Sequence, residues 1–150
     1  MSLETYSEVI LDTMKISASH ATAVGGAVFI TTSVTVRATD MIIDANTASN
    51  GGGIASIESD VILADSELTH NNATSDGGSL WIEGGAVTVT ASRFDNNYAA
   101  GQGGAISVVK ADLAIETSMI TSCVSSYGGG VAVTGAAAMV TVNQVRNSSP

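Results

Sequence analysis

Apolar residues alternate with polar or small residues in short runs along the chain, which is the pattern of β-strands. In the clearest runs two apolar residues flank one outward position, as in Val61-Ile62-Leu63 and Val87-Thr88-Val89. The matching runs elsewhere are Val34-Thr35-Val36 and Leu113-Ala114-Ile115. A further apolar position closes each unit, at Ile43, Leu68, Phe94, Ile120 and Val145, and serines precede three of these by two places, at Ser66, Ser92 and Ser118. We therefore expect three short strands per unit, and an incomplete unit upstream at Val9, Leu11, Met14 and Ile16.

Glycine pairs repeat in step with these units. The pairs are Gly25-Gly26, Gly51-Gly52, Gly77-Gly78, Gly103-Gly104 and Gly128-Gly129, and their first members are 26, 26, 26 and 25 residues apart. A fixed period of this length is typical of solenoids, in which every repeat forms one turn. Each pair fits a sharp turn into the first strand, where a Cβ atom would collide with the backbone.

The period predicts an all-β fold, a right-handed parallel β-helix of five to six turns of 25–26 residues. Turns would stack at the strand spacing of about 4.8 Å, giving a rod roughly 25 Å long. Like residues would stack on like, so Val34, Val61, Val87 and Leu113 would form one inner column and the serines another, bonded along the axis. We expect residues 1–150 to be a single β-helix domain and a segment of a longer repeat protein, whose exposed end strands would allow end-to-end self-association.

Composition narrows the possible partners. The net charge is −9, which disfavours nucleic acid because phosphate binding relies on basic residues. The single cysteine, Cys123, excludes an intramolecular disulfide and suits a small buried filler better than a nucleophile. No apolar run is long enough to cross a bilayer, and Met1–Ile10 lacks the features of a signal peptide, so we expect no membrane insertion by this segment.

The motifs GGA followed by Ile, Leu or Val, and F-x-x-N, resemble the repeats of the chlamydial polymorphic outer membrane proteins. Gly25 and Gly103 begin full GGAV and GGAI matches, and Phe94 to Asn97 reads FDNN. Leu68 to Asn71 keeps the asparagine, whereas Ile120 to Cys123 has cysteine in its place. The resemblance implies a surface-exposed β-helical rod that acts in adhesion, with both motifs at one corner of the turn. It makes the motif glycines, Phe94 and Asn97 the structural or adhesive candidates.

Parallel β-helices also include polysaccharide lyases, hydrolases and epimerases, which need paired carboxylates or a calcium site. Spacing predicts one weak polar column, Asp44, His70 and Asn96, which turn-forming residues at a strand end explain equally well. Asp60 and Asp112 share a position two turns apart with Ala86 between them, and His20 and His70 occupy different positions. We therefore expect no catalytic, cofactor or metal site.

The sequence favours a non-enzymatic structural or adhesive module of an extracellular or cell-surface protein, which would bind a host-cell or glycan ligand through a lateral face. A fragment of an enzyme acting on acidic glycans is the alternative, and a spacer without a ligand is a third class. Trp81 is expected to be one exposed aromatic residue that could touch such a partner. An ice-binding face is disfavoured because threonine does not recur at one outward position.

Overall fold

A computed structural model describes residues 7–135 and 140–143. The incomplete first turn contains β1 (Ser7–Asp12) and β2 (Lys15–Ser17). The second turn contains β3 (Val28–Thr31), β4 (Val34–Thr39), β5 (Ile42–Asp44) and β6 (Thr47–Ala48). The third contains β7 (Ile54–Ile57), β8 (Asp60–Ala64), β9 (Glu67–Thr69) and β10 (Asn72–Ala73). The fourth contains β11 (Leu80–Glu83), β12 (Ala86–Thr90), β13 (Arg93–Asp95) and β14 (Tyr98–Gln102). The fifth contains β15 (Ile106–Val109), β16 (Asp112–Glu116), β17 (Met119–Thr121) and β18 (Val124–Tyr127), and β19 (Val131–Thr134) and β20 (Val140–Asn143) follow.

Every strand pairs in parallel with its equivalent one turn away, so the strands form four sheets that run along the axis. We number the sheets in the order in which a turn visits them. The first sheet holds β3, β7, β11, β15 and β19, the second β1, β4, β8, β12, β16 and β20, the third β2, β5, β9, β13 and β17, and the fourth β6, β10, β14 and β18. The structure is thus a β-solenoid of about five turns, as the period predicts, and the described residues contain no helix that could span a membrane.

A complete turn has four strands, which corrects the expectation of three. The fourth strand lies in the Asn-, Ser-, Ala- and Thr-rich run between the last predicted strand and the next glycine pair, and it is as short as Asn72–Ala73 in the third turn. Its inward residues are the small side chains Ala48, Ala73 and Ala99, all almost fully buried. A two-residue strand gives no visible alternation, so only the stacking of turns reveals it.

The core consists of inward columns of aliphatic side chains on the first three sheets. In the second sheet the two columns are Val36, Val61, Val87 and Leu113, and Ala38, Leu63, Val89 and Ile115. Val36 therefore occupies the position expected of Val34, because Val36 follows Thr31 by five residues whereas its partner Val61 follows Ile57 by four. In the third sheet Ile43, Leu68, Phe94 and Ile120 are in register and buried, as predicted, whereas Val145 lies outside the described residues.

The glycine pairs are required by backbone geometry. Gly77 has a φ of +65°, and the first glycines of the other pairs have φ between +61° and +65°. Gly78 follows in a tight stack of turns, where an added Cβ would overlap the Gly104 carbonyl oxygen and lie 2.7 Å from the Tyr98 carbonyl oxygen. Gly26, Gly52 and Gly104 meet the carbonyl of the next turn in the same way.

The predicted serine column is present at the corner between the second and third sheets. The Ser92 hydroxyl accepts from the backbone N–H of Ser66, at 3.2 Å, and donates to the carbonyl of Thr90, at 2.8 Å. Ser66 and Ser118 make the equivalent bonds, with Met41 and Ser92 as the respective N–H donors. These hydroxyls therefore replace strand pairing where the chain bends.

Candidate functional site

The asparagines of the F-x-x-N motif form a buried ladder between the third and fourth sheets. Asn46, Asn71 and Asn97 are each at most 1% exposed. The Asn97 side-chain oxygen accepts from the backbone N–H of Asn71, at 2.9 Å, and its amide donates to the Leu68 carbonyl, at 2.8 Å. Asn71 makes the equivalent two bonds to the turn before its own, and Asn46 does the same one turn earlier. Each amide side chain therefore bridges neighbouring turns.

The ladder touches the glycine motifs on both sides of it along the chain. The Asn71 amide donates to the Ser79 hydroxyl, at 3.3 Å, and Ser79 is the residue directly after Gly77-Gly78. In the preceding glycine motif, an added Cβ at Gly53 would lie 3.6 Å from the Asn71 side chain. The two motifs therefore recur together because they pack against each other at one corner.

Cys123 stands at the fifth-turn position of the ladder. Its Sγ accepts from the Asn97 amide at 3.7 Å and donates to the Thr121 carbonyl at 3.1 Å. Burial raises the pKa of the Cys123 thiol, and hydrogen bonds from Asn97 only partly oppose this effect. The half-buried thiol substitutes for an amide in the ladder, and a raised pKa disfavours the nucleophilic thiolate.

The motif residues offer little surface to a partner. Phe94 and Asn97 are at most 1% exposed, and the glycine pairs from Gly51 to Gly104 are also buried. Gly26 is buried as well, Gly25 is partly buried, and Gly128 and Gly129 are exposed. The motifs thus build the corner, and the outward residues between motifs form the surface that a ligand would meet.

The polar column on the third sheet has a different membership from the one expected. Asp44 is in register with Thr69, Asp95 and Thr121, whereas His70 and Asn96 lie one residue later, at a corner with φ of +52° and +53°. The misassignment arises because Ile43 and Leu68 are only 25 residues apart while the next step is 26. His70 and Asn96 are equivalent to each other, and Asp44 is not equivalent to either.

Asp44 and His70 nevertheless meet across the turns. His70 Nδ1 lies 2.9 Å from Asp44 Oδ1, and the Thr69 hydroxyl donates to the same oxygen at 2.8 Å. These bonds, first from His70 and then from Thr69, lower the pKa of Asp44. In the next turn but one, Asp95 accepts from Thr121 at 2.7 Å and from Arg93 at 2.6 Å.

This arrangement gives each carboxylate a hydroxyl neighbour rather than a second carboxylate. Asp44 and Asp95 are separated by the Thr69 turn, about 10 Å at two strand spacings. A general acid needs a raised pKa, and Asp44 has a lowered one. Within the described residues, no three His, Cys, Asp or Glu side chains are placed to hold a metal ion.

Two other sequence expectations concern the outward faces. Asp60, Ala86 and Asp112 do share one position in successive turns. Trp81 lies in register between Ala55 and Ser107, but it is only 8% exposed, so the expectation of an exposed aromatic is wrong. Its two neighbours in register are small and buried, which leaves room for the indole against the sheet.

Sequence reasoning missed a concentration of carboxylates around the second sheet. Its outward side and the two corners that border it carry nine exposed carboxylates: Glu8, Glu58, Asp60, Glu83, Asp112, Asp12, Asp40, Asp65 and Glu116. We call this surface the acidic face. Arg37 and Lys110 are the cations there in the described part of the chain, and Arg37 pairs with Glu8. Sorting every charge by its position in the repeat, rather than adding up the charges, would have found it.

Comparison with known families and proteins identifies one repeat. The model of the Chlamydia polymorphic membrane protein repeat matches residues 91–109, which contain the FDNN and GGAI motifs and run from the Ser92 corner to β15. No curated protein and no solved structure gives a significant match. The chain is therefore a β-solenoid that resembles the Chlamydia polymorphic membrane proteins through this repeat.

Proposed function

We propose that the chain is a non-enzymatic adhesive module of a cell-surface or secreted protein. The observation that carries this proposal is the match of residues 91–109 to a repeat of polymorphic membrane proteins, at the turn where both motifs are complete. Because those motifs are buried, we assign them a structural role at the corner of the solenoid and assign binding to the outward residues, which are free to vary.

A lateral face of the solenoid is the surface that we propose for binding. Outward side chains lie on a grid set by the strand spacing of about 4.8 Å, so one ligand would touch several turns at once. Exposed apolar residues also occur on the fourth sheet, where Tyr98 is 48% and Val124 56% exposed. Large exposed side chains of this kind occur at interfaces more often than on ordinary surfaces.

Cell adhesion tests the proposal directly. Beads coated with the purified chain should bind cultured epithelial cells in a saturable manner, and free chain should compete with them. The control is a bead coated with an unrelated β-solenoid of similar net charge. Equal attachment of both beads would contradict an adhesive role and would favour a spacer.

The proposal excludes the alternative of a polysaccharide lyase, hydrolase or epimerase. Asp44 and Asp95 alternate with threonines along the third sheet, so they are not adjacent, and the pKa of Asp44 is lowered by its hydrogen bonds to His70 and Thr69; both observations support this exclusion. Incubation with pectate, alginate and hyaluronan should leave viscosity and product ultraviolet absorbance unchanged. Turnover that is lost in Asp44→Asn would overturn the non-enzymatic assignment.

We also propose end-to-end self-association. Val9 and Met14 in the first turn are each 41% exposed, whereas Val36 and Met41 one turn later are 3% and 1% exposed. A second solenoid stacked on this end would bury those side chains and pair the edge strands. Sedimentation velocity should show a concentration-dependent species larger than the monomer, and Val9→Lys should abolish it.

A further inference from the structure

The carboxylates of this acidic chain are distributed very unevenly. Nine exposed carboxylates belong to the acidic face, while among the other described residues only Glu67 is an exposed carboxylate, and it lies 3.7 Å from Arg93. Asp44, Asp76 and Asp95 are partly buried and accept hydrogen bonds from neighbouring turns. The negative charge therefore faces one lateral direction, and the acidic face produces a stronger field there than the net charge alone suggests.

The carboxylates stand in two rows that run along the axis. One row follows the corner before the second sheet, from Glu8 past Glu58 and Asp60 to Asp112. The other follows the corner after it, where Asp40 and Asp65 occupy the same position in successive turns. Five residues of strand separate Asp60 from Asp65, so the rows are roughly 17 Å apart.

The two columns of outward residues between the rows are mainly uncharged. The central outward column is Ile10, Arg37, Ile62, Thr88 and Ala114, and a second column contains Thr39, Ala64 and Thr90. From Ile62 onward these residues are half-buried, so none of them projects far from the sheet. An extended chain can lie on such a surface and reach both rows with long side chains.

We propose that the acidic face binds a polybasic polypeptide segment, rich in Lys and Arg, of a partner protein. We choose this partner because its charge is complementary to that of the acidic face. Lysine and arginine side chains can lay their apolar stems over the small residues between the rows while their cationic groups reach the carboxylates. Nucleic acids and acidic glycans carry the same sign as the face and would be repelled. This inference shares one assumption with the proposed adhesive function, namely that a lateral face of the solenoid is the binding surface.

Fluorescence anisotropy with a labelled nonalysine peptide tests the proposal without cells. We expect binding at low salt that weakens as salt is added, because exposed charges are screened. The decisive comparison is Thr88→Lys, at the centre of the acidic face, with Asn72→Lys, on the exposed side of the fourth sheet. Both variants change the net charge equally. The dissociation constant should rise roughly tenfold in Thr88→Lys and less than about twofold in Asn72→Lys.

A second pair of variants keeps the test valid if Thr88→Lys fails to fold. Asp40→Asn, Asp65→Asn and Glu116→Gln together neutralise part of one row, and asparagine tolerates the positive φ of Asp40 and Asp65. The matched control combines Asp44→Asn, Glu67→Gln and Asp95→Asn, which lie on the third sheet. Circular dichroism would verify folding of both.

Three outcomes would overturn the proposal. Equal weakening by the two triple variants would show that the peptide responds to net charge and not to the acidic face. Absence of binding at low salt would exclude a polybasic partner. Binding of calcium ions that blocks the peptide and survives moderate salt would make the rows a cation surface instead. Failure of the cell-adhesion assay alone would affect the proposed function and leave this result unchanged.

Discussion

A buried amide side chain stabilises a fold only when its donors and acceptor are hydrogen-bonded, and Asn71 meets this condition. Its oxygen accepts from the backbone N–H and the side-chain amide of Asn46, at 3.0 and 3.1 Å. Its own amide donates to the Ile43 carbonyl at 2.9 Å. Removing this side chain leaves polar groups of a neighbouring turn buried without partners.

We expect Asn71→Ala to lower the free energy of unfolding by about 2–4 kcal/mol, measured by urea denaturation. The matched control is the adjacent Asn72→Ala, because Asn72 points outward and is exposed. Its effect should stay within about 0.5 kcal/mol. Equal losses in both variants would contradict the role assigned to the ladder.

Asp44 makes stability depend on pH. His70, and then Thr69, lower the pKa of Asp44 in the folded protein. A group with a depressed folded pKa stabilises the fold above its unfolded pKa, about 3.9, and loses this contribution as the pH falls through the folded value. Asp44→Asn should therefore be less stable than the parent chain at about pH 7, and the gap should close towards about pH 3. The exposed Asp65→Asn serves as the control, and an unchanged gap in urea midpoint would disprove the coupling.

At the scale of the element, the corners share residues of positive φ, the first glycine of each pair among them, but differ in the side chains that replace strand pairing. Serine hydroxyls do so between the second and third sheets, and asparagines do so between the third and fourth. The second glycine of each pair is required for a different reason, because a carbonyl of the next turn approaches it too closely for a Cβ atom. Substitutions can separate the effect of positive φ from the effect of this close approach.

Gly78→Ala should be far more damaging than Gly84→Ala. Alanine at Gly78 overlaps the Gly104 carbonyl, whereas an added Cβ at Gly84 meets its nearest atom at 3.6 Å and suffers only from a φ of +71°. We expect a loss of about 1 kcal/mol at Gly84, from backbone strain, and more than about 3 kcal/mol at Gly78. Thermal melting followed by circular dichroism measures both. Similar melting temperatures would show that the stack of turns can relax.

The period could be predicted from the sequence, but the register could not. Glycine pairs and apolar alternation repeat in the primary structure, so the solenoid, the serine column and the third-sheet core followed from them. One extra residue before Val36 and the 25-residue step from Ile43 to Leu68 shift the phase locally. Such shifts misplaced Val34 and Asp44, because a constant spacing cannot show which corner absorbs a residue. The burial of Trp81 depends on side-chain packing, which has no period.

At the scale of the whole molecule, stability is shared between neighbouring turns. Each turn contacts the ones before and after it, so an interior turn gains two interfaces. The first turn has fewer buried residues than the third or fourth, and β1 is almost entirely exposed whereas β12 alternates between buried and half-buried residues. The solenoid should therefore open from this end.

Hydrogen exchange followed by mass spectrometry should show this gradient. Amides of β8 and β12 should be protected far longer than those of β1, since opening the middle of the stack requires breaking two interfaces. Uniform protection along the chain would instead indicate a single cooperative unit. The same experiment on Asn71→Ala should speed exchange most in the turns that flank residue 71.

The extra residue that precedes Val36, at the bend between β3 and β4, has a consequence for how such proteins could diversify. Thr32 and Ser33 take positive φ at that bend, and the paired strands on both sides keep the same inward columns as in the next turn. A change in the length of this bend therefore leaves the inward columns of the core in register. Peptides grafted between Thr32 and Ser33 could be displayed on the scaffold without redesign of its centre, which makes the bend a natural place for loops of new length.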